Sequence, residues 1–235
     1  MNLTLGVLQP GYLPWLGFFD LMRRTDVFVI YDDVQFDKHG WRNRNQIKTA
    51  HGPLWLTVPV FHRGHEGQGI TDVRIDNLLP WARKHLRSIE QAYARAPYVD
   101  TYFPTLREVL SERWERLVDL DLALIEVLSE WLDLPSNAVR CSELEIPGRR
   151  NDRLLALCRH FGATKYVTGN LARAYLDVPR FEAAGIEVEW QSYIHPIYPQ
   201  LHGEFVLNMS TIDLIMNCGP ESRAILAHEV RKERV

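Results

Sequence analysis

Cysteine is scarce in this chain of 235 residues: there are three thiols, Cys141, Cys158 and Cys218, far apart and odd in number. That excludes a disulfide framework, and no CxxC or close Cys/His spacing offers a zinc site, so the composition points to a reducing compartment. Long apolar runs are missing too. No stretch approaches the ~20 apolar residues of a membrane span. The opening segment MNLTLGVLQPGY lacks the basic start and continuous apolar core of a signal peptide. The expectation is a cytoplasmic protein without a membrane span. Charge of one sign is also lacking: 27 basic against 30 acidic residues leave a net charge of −3, so no nucleic-acid partner is expected. Finally, GxGxxG, Walker A, GxSxG and HExxH are all absent, and no cofactor or bound metal is expected.

The residues present are those of an ordinary globular protein, 46% hydrophobic and 24% charged. A chain of this length buries roughly 70% of its unfolded surface and needs no staple. Leu3–Leu8 reads as a strand closed by Gln9-Pro10-Gly11-Tyr12, Trp15–Arg24 as a helix, and Val27–Tyr31 as a buried strand ending in Asp32-Asp33. Strand, helix, strand is a βαβ unit, which predicts a parallel sheet. Trp55–Val60 reads as a further strand, with Pro59 placing it at an edge or bend. From about 79 to 135 the pattern is helical. Asn151–Phe161 is then a helix, Lys165–Thr168 a strand, Arg180–Ala184 helical, Ile186–Trp190 a strand and Ser210–Asn217 a final helix. The charged tail His228–Val235 is expected to fray. The predicted fold is one α/β domain over 1–235, three-layer, with a mostly parallel sheet and an inserted helical subdomain.

Several polar segments follow the strands, where open α/β sheets bind ligands. In the first, Gln9 can donate and accept, Tyr12 and Trp15 can form a stacking wall, and Pro and Gly stiffen the turn; the same aromatics also suit a core. Asp32 and Asp33 suit a general base or a hard cation such as magnesium, or a cap and a solvated carboxylate. They are followed by Gln35. In the polar segment Lys38–Lys48, Trp41, Arg42, Asn43 and Arg44 alternate so that two arginines share one strand face, a clamp for phosphate or carboxylate; a solvated loop is the alternative. His195, held extended before Pro196, has the pKa range of an acid–base group, or packs as a core histidine. Gly169 marks a third strand-to-helix turn, and Gln200 closes the aromatic segment Trp190–Gln200.

The run Leu8–Phe19, with DVFVIYDDVQF (Asp26–Phe36), WRNRNQIKT (Trp41–Thr49) and WLTVPV (Trp55–Val60), resembles the WbqC-like family. The carboxyl half agrees through Tyr166–Gly169, Tyr175-Leu176-Asp177, Gly185–Val188, His195–Gln200 and the helix with Asp213-Leu214. Gly11-Tyr12 departs from an expected Asn-Tyr. The resemblance implies a transferase of surface-polysaccharide (O-antigen) or secondary-metabolite biosynthesis. The expected reaction transfers an acyl or aminoacyl group, supplied on a carrier, to an amine such as that of an amino-sugar nucleotide. For that amide-forming reaction His195, Asp32 or Asp33 suits the base and Gln9 or Asn43 the oxyanion donor. Tyr12, Trp15, Gln35, Trp41, Arg42, Arg44, Gly169 and Gln200 suit substrate binding. The opening also faintly resembles nucleotidylyltransferases of the HUP type, without their paired histidines. A non-catalytic scaffold of a biosynthetic complex is the third reading.

Overall fold

The computed structural model describes residues 2–38, 40–62, 64–135 and 137–228. His39 of the polar segment and residues 229–235 of the tail expected to fray lie outside them. The chain divides into two compact units: 1–9, 17–33 and 135–194 form one, and 10–16, 34–134 and 195–235 the other. The helical segment expected at 79–135 lies within the second, where it packs with a hairpin and the carboxyl-terminal helices.

In chain order, β1 is Leu3–Leu8, α1 Leu16–Arg23, β2 Val27–Ile30, β3 Arg44–Thr49 and β4 Gly52–Thr57. There follow α2 Trp81–Tyr93, α3 Val99–Ser111, α4 Leu117–Trp131, β5 Ala138–Arg140, α5 Arg150–Phe161 and β6 Ala163–Thr168. The remainder is α6 Val178–Ala183, β7 Glu187–Trp190, α7 Thr211–Cys218 and α8 Ser222–Leu226. Each helix and strand expected along 1–31 and 151–217 is present, with ends that coincide or shift by at most two residues.

The first unit is a five-stranded sheet in the order β5-β2-β1-β6-β7, parallel throughout. Its two faces are separately coded by the period of two in a strand. Leu5, Val7, Val29 and Tyr166 point one way and pack with Leu154, Leu155, Leu157 and Cys158 of α5 and Phe181 of α6. Phe28 points the other way, where Phe18 of α1 meets it edge-on at 5.2 Å. Helices on both faces make the three-layer α/β arrangement. α5 ends where Gly162, at φ 67°, adopts the left-handed conformation and returns its amide to Arg159 and Cys158 carbonyls.

The second unit carries an antiparallel hairpin, β3 with β4, that the linear pattern did not disclose as a pair. Helices α2, α3, α4 and α7 pack around it and one another. The 10–16 segment is tied to this unit by backbone bonds: Tyr12 N donates to Arg42 O at 2.9 Å and Thr211 N to Pro14 O at 3.0 Å. No helix among the described residues is long and apolar enough to cross a membrane.

Candidate functional site

Because all strands of the five-stranded sheet run the same way, their carboxyl ends share one rim. From β1 the chain first adds β2 and β5 on one side, then returns to add β6 and β7 on the other. The order therefore reverses at β1, and the crevice that such a reversal opens lies beyond the carboxyl ends of β1 and β6. Gln9 follows β1, Asp32 and Asp33 follow β2, and Gly169 follows β6. A side-chain carbon added at Gly169 would meet nothing within 4 Å, so the rim is open at that point.

The two aspartates do different things there. Asp32 is fully buried. It accepts from Arg140 Nε at 2.8 Å, Ser142 N at 2.9 Å and Ser142 Oγ at 2.8 Å. With that many donors it clamps the end of β2 to the end of β5. Asp33 remains partly exposed and pairs through Oδ2 with Arg153, in the first turn of α5. Its Oδ1 has no hydrogen-bond partner among the described residues. The Arg153 guanidinium also lies 5.4 Å from the Tyr31 ring centre, and Cys141 stands beside the same carboxylate, its thiol pushed up to about 12 by burial and then by the Asp33 charge. Burial likewise holds Cys158 and Cys218 at about 12. None of the three is a thiolate near neutral pH, so none is an activated nucleophile.

The remaining sequence candidates belong to the second unit. Tyr12 is fully buried, and its hydroxyl meets His85 Nδ1 at 2.9 Å. Arg42 is half-buried and donates to Pro10 O at 2.9 Å. Asn43 and Asn45 point inward, donating to Val58 O at 2.8 Å and Leu13 O at 2.6 Å. Arg44 stays at the surface, its guanidinium 4.7 Å from the Trp55 ring centre, and the Trp41 ring lies 5.1 Å from Trp55. Both tryptophans are 42% exposed. Gln35 is exposed and bridges to Gly69, and Trp15 bridges to Ser210.

His195 contacts the carbonyl of Pro196 through Nδ1 at 2.9 Å and stacks on Tyr198 at 6.0 Å. Burial lowers its pKa, so the ring is neutral at pH 7. Gln200 donates to Asp213 at 2.7 Å, alongside Tyr93 and Tyr198 at 2.9 Å each. Lys48, buried beside them, donates to Gly203 O at 3.2 Å and Glu204 O at 2.5 Å. Gln200 is thus committed to a buried polar knot, with His195 at its edge. Arg153, Arg140, His85, Asp121, Asp213 and Trp55 were not singled out for a site by linear reading. Asp121 gave a signal as a charge on the apolar repeat of α4, and Trp55 and Asp213 lie in segments that carry the family resemblance.

A family model for WbqC-like proteins matches residues 9–225. This chain belongs to the WbqC-like protein family. A relative in Mycobacterium tuberculosis (strain ATCC 25618 / H37Rv), the uncharacterized protein Rv1507c, is 36% identical over 218 residues, covering 92% of this WbqC-like chain and 94% of its own. No solved structure matches. The match spans the whole polar rim of the WbqC-like sheet, from Gln9 through Asp32, Asp33 and Arg153 to Gly169.

Proposed function

We propose that this WbqC-like protein is a transferase that binds a phosphate-bearing amine, such as an amino-sugar nucleotide, at the carboxyl rim of its parallel sheet and acylates it. The observation that carries this reading is the reversal of strand order at β1, with Gln9, the Asp33–Arg153 pair and Gly169 brought to the strand ends around it. Arg153 supplies a fixed guanidinium suited to phosphate oxygens, and Gly169 leaves room for a ligand.

In the reaction, the amine nitrogen attacks the acyl carbonyl, a C–N bond forms, and the bond to the carrier breaks with its electron pair leaving on the carrier. The ammonium proton must go to a base; Asp33 is the candidate, and because its Oδ1 is buried beside Cys141 the amine must enter the rim to reach it. The Gln9 side-chain amide is the oxyanion donor at the rim. With every thiol protonated, transfer runs directly from carrier to amine rather than through a cysteine thioester. Purified protein incubated with amino-sugar nucleotides and acyl or aminoacyl donors, followed by mass spectrometry, tests this. An amide product lost in Asp33→Ala supports it, and persistent absence of amide counts against it.

The same strand order supports a second reading, a nucleotide-binding nucleotidylyltransferase, because doubly wound sheets hold nucleotides at this crevice. Calorimetric binding of ATP with magnesium, without any amide product, favours it over acyl transfer.

A further inference from the structure

Asp121 lies in the middle of α4 with no exposed surface, and neither of its carboxyl oxygens has a hydrogen-bond partner among the described residues. Unpaired buried carboxylates are costly, by several kcal/mol in real proteins. Its charge neighbours are Arg42 and Tyr12. Arg42 is turned instead to the backbone: it donates to Pro10 O at 2.9 Å, while its own carbonyl accepts from Tyr12 N at 2.9 Å. Gly11 sits between these two bonds. A side-chain carbon there would lie 2.7 Å from the Trp41 carbonyl oxygen, so the two segments touch backbone to backbone.

We propose that Asp121 is a proton-operated latch on the 10–16 loop: while its carboxyl is neutral Arg42 serves the Pro10 carbonyl and holds the loop, and once ionised it competes for the same guanidinium and the loop loosens. The competition follows from strength. A guanidinium is drawn to an ionised carboxylate by a full opposite charge and can meet it with two parallel bonds, neither of which the neutral Pro10 carbonyl offers.

The surroundings keep the device specific. His85 of α2 takes up the Tyr12 hydroxyl, so Tyr12 has no proton to offer Asp121. Asp37 is the other charge acting on Arg42. Of the elements packed against α4, α3 buries Phe103, Leu106 and Leu110, and α7 carries Asp213, already bonded to Tyr93, Tyr198 and Gln200. The 70–72 turn carries Asp72, which is exposed. Burial first, opposed by Arg42, holds the Asp121 carboxyl well above the ordinary carboxylate range, so the neutral form persists where other aspartates have ionised. This inference stands apart from the transferase reading, since it concerns the loop and not the reaction.

The test is hydrogen exchange of the full chain across mildly acidic to alkaline pH, corrected for intrinsic exchange, with infrared detection of the carboxyl. The latch predicts that Tyr12 amide protection falls about tenfold or more as Asp121 ionises. In Asp121→Asn, which cannot ionise, protection stays constant with pH. Should that variant fail to fold, Arg42→Gln serves: it removes the contested charge, and protection is low at every pH. Parallel behaviour of wild type and Asp121→Asn overturns the latch. So does loop protection that is unchanged in wild type, whether the carboxyl ionises or stays protonated throughout.

Discussion

At His85 the hydrogen bonds fix a tautomer. The ring donates to the Thr57 carbonyl, which leaves Nδ1 as the acceptor of the Tyr12 hydroxyl proton at 2.9 Å. Burial drives the imidazole down to about 4 from an ordinary 6.5. Between those values the unfolded chain binds a proton that the folded chain refuses, so stability rises as pH climbs from about 4 to about 6.5, by up to about 3 kcal/mol. His85→Gln keeps one acceptor and one donor but cannot titrate; denaturant unfolding across that window should show a flatter profile in the variant. Asp121 has the opposite sign. Its raised value means that stability is lost as pH rises toward ionisation. Gly11→Ala places a carbon 2.7 Å from the Trp41 oxygen; the backbone must move, and we expect a loss of about 1–3 kcal/mol, read as a lower Tm. These residues also mark a limit of the linear reading. Tyr12 and Arg42 stood out as an aromatic and a cation after a strand, but their neighbours His85 and Asp121 lie on helices 73 and 79 positions away, and only folding supplies them.

Among the elements, short apolar or β-branched runs bounded by turn residues disclosed β1, β2, β6 and β7. β5 escaped. It has three residues, Ala138–Arg140, and owes its place to β2 and to the clamp at the strand ends rather than to its own pattern. Removing that clamp should therefore be costly: Asp32→Ala strands Arg140 and the Ser142 amide, and unfolding stability should drop by about 3 kcal/mol in chemical denaturation. Asp33→Ala, one residue on, removes a partly exposed pair and should cost about 1 kcal/mol or less. The β3–β4 hairpin was half legible. Its second strand was expected, whereas β3 read as a polar segment because Asn43, Asn45 and Lys48 turn inward to satisfy backbone carbonyls. Polar side chains with buried duties look, in one dimension, like a solvated loop.

For the whole molecule, the strand order is what gives the WbqC-like chain a reversal at β1, the place where open α/β sheets bind ligands, and chain order alone could not reveal it. Sequence predicted that polar segments end the strands; the structure adds that β1 stands between β2 and β6, which puts Gln9 in the centre of the rim. The candidates then fall into two groups, Gln9, Asp32, Asp33 and Gly169 in one compact unit and Tyr12, Arg42, Arg44, His195 and Gln200 in the other. A short motif cannot express that division. The central claim is that the Asp33–Arg153 rim binds a phosphate-bearing ligand. Its most direct test is ligand-induced thermal stabilisation of wild type, Asp33→Ala and Arg153→Gln by amino-sugar nucleotides. A ligand at one hundred times its dissociation constant adds about 2.7 kcal/mol, a readily measured shift in Tm. The account predicts that wild type and Asp33→Ala are stabilised and that Arg153→Gln, still folded, is not. Equal stabilisation of all three, or none by any such nucleotide in wild type, would contradict it.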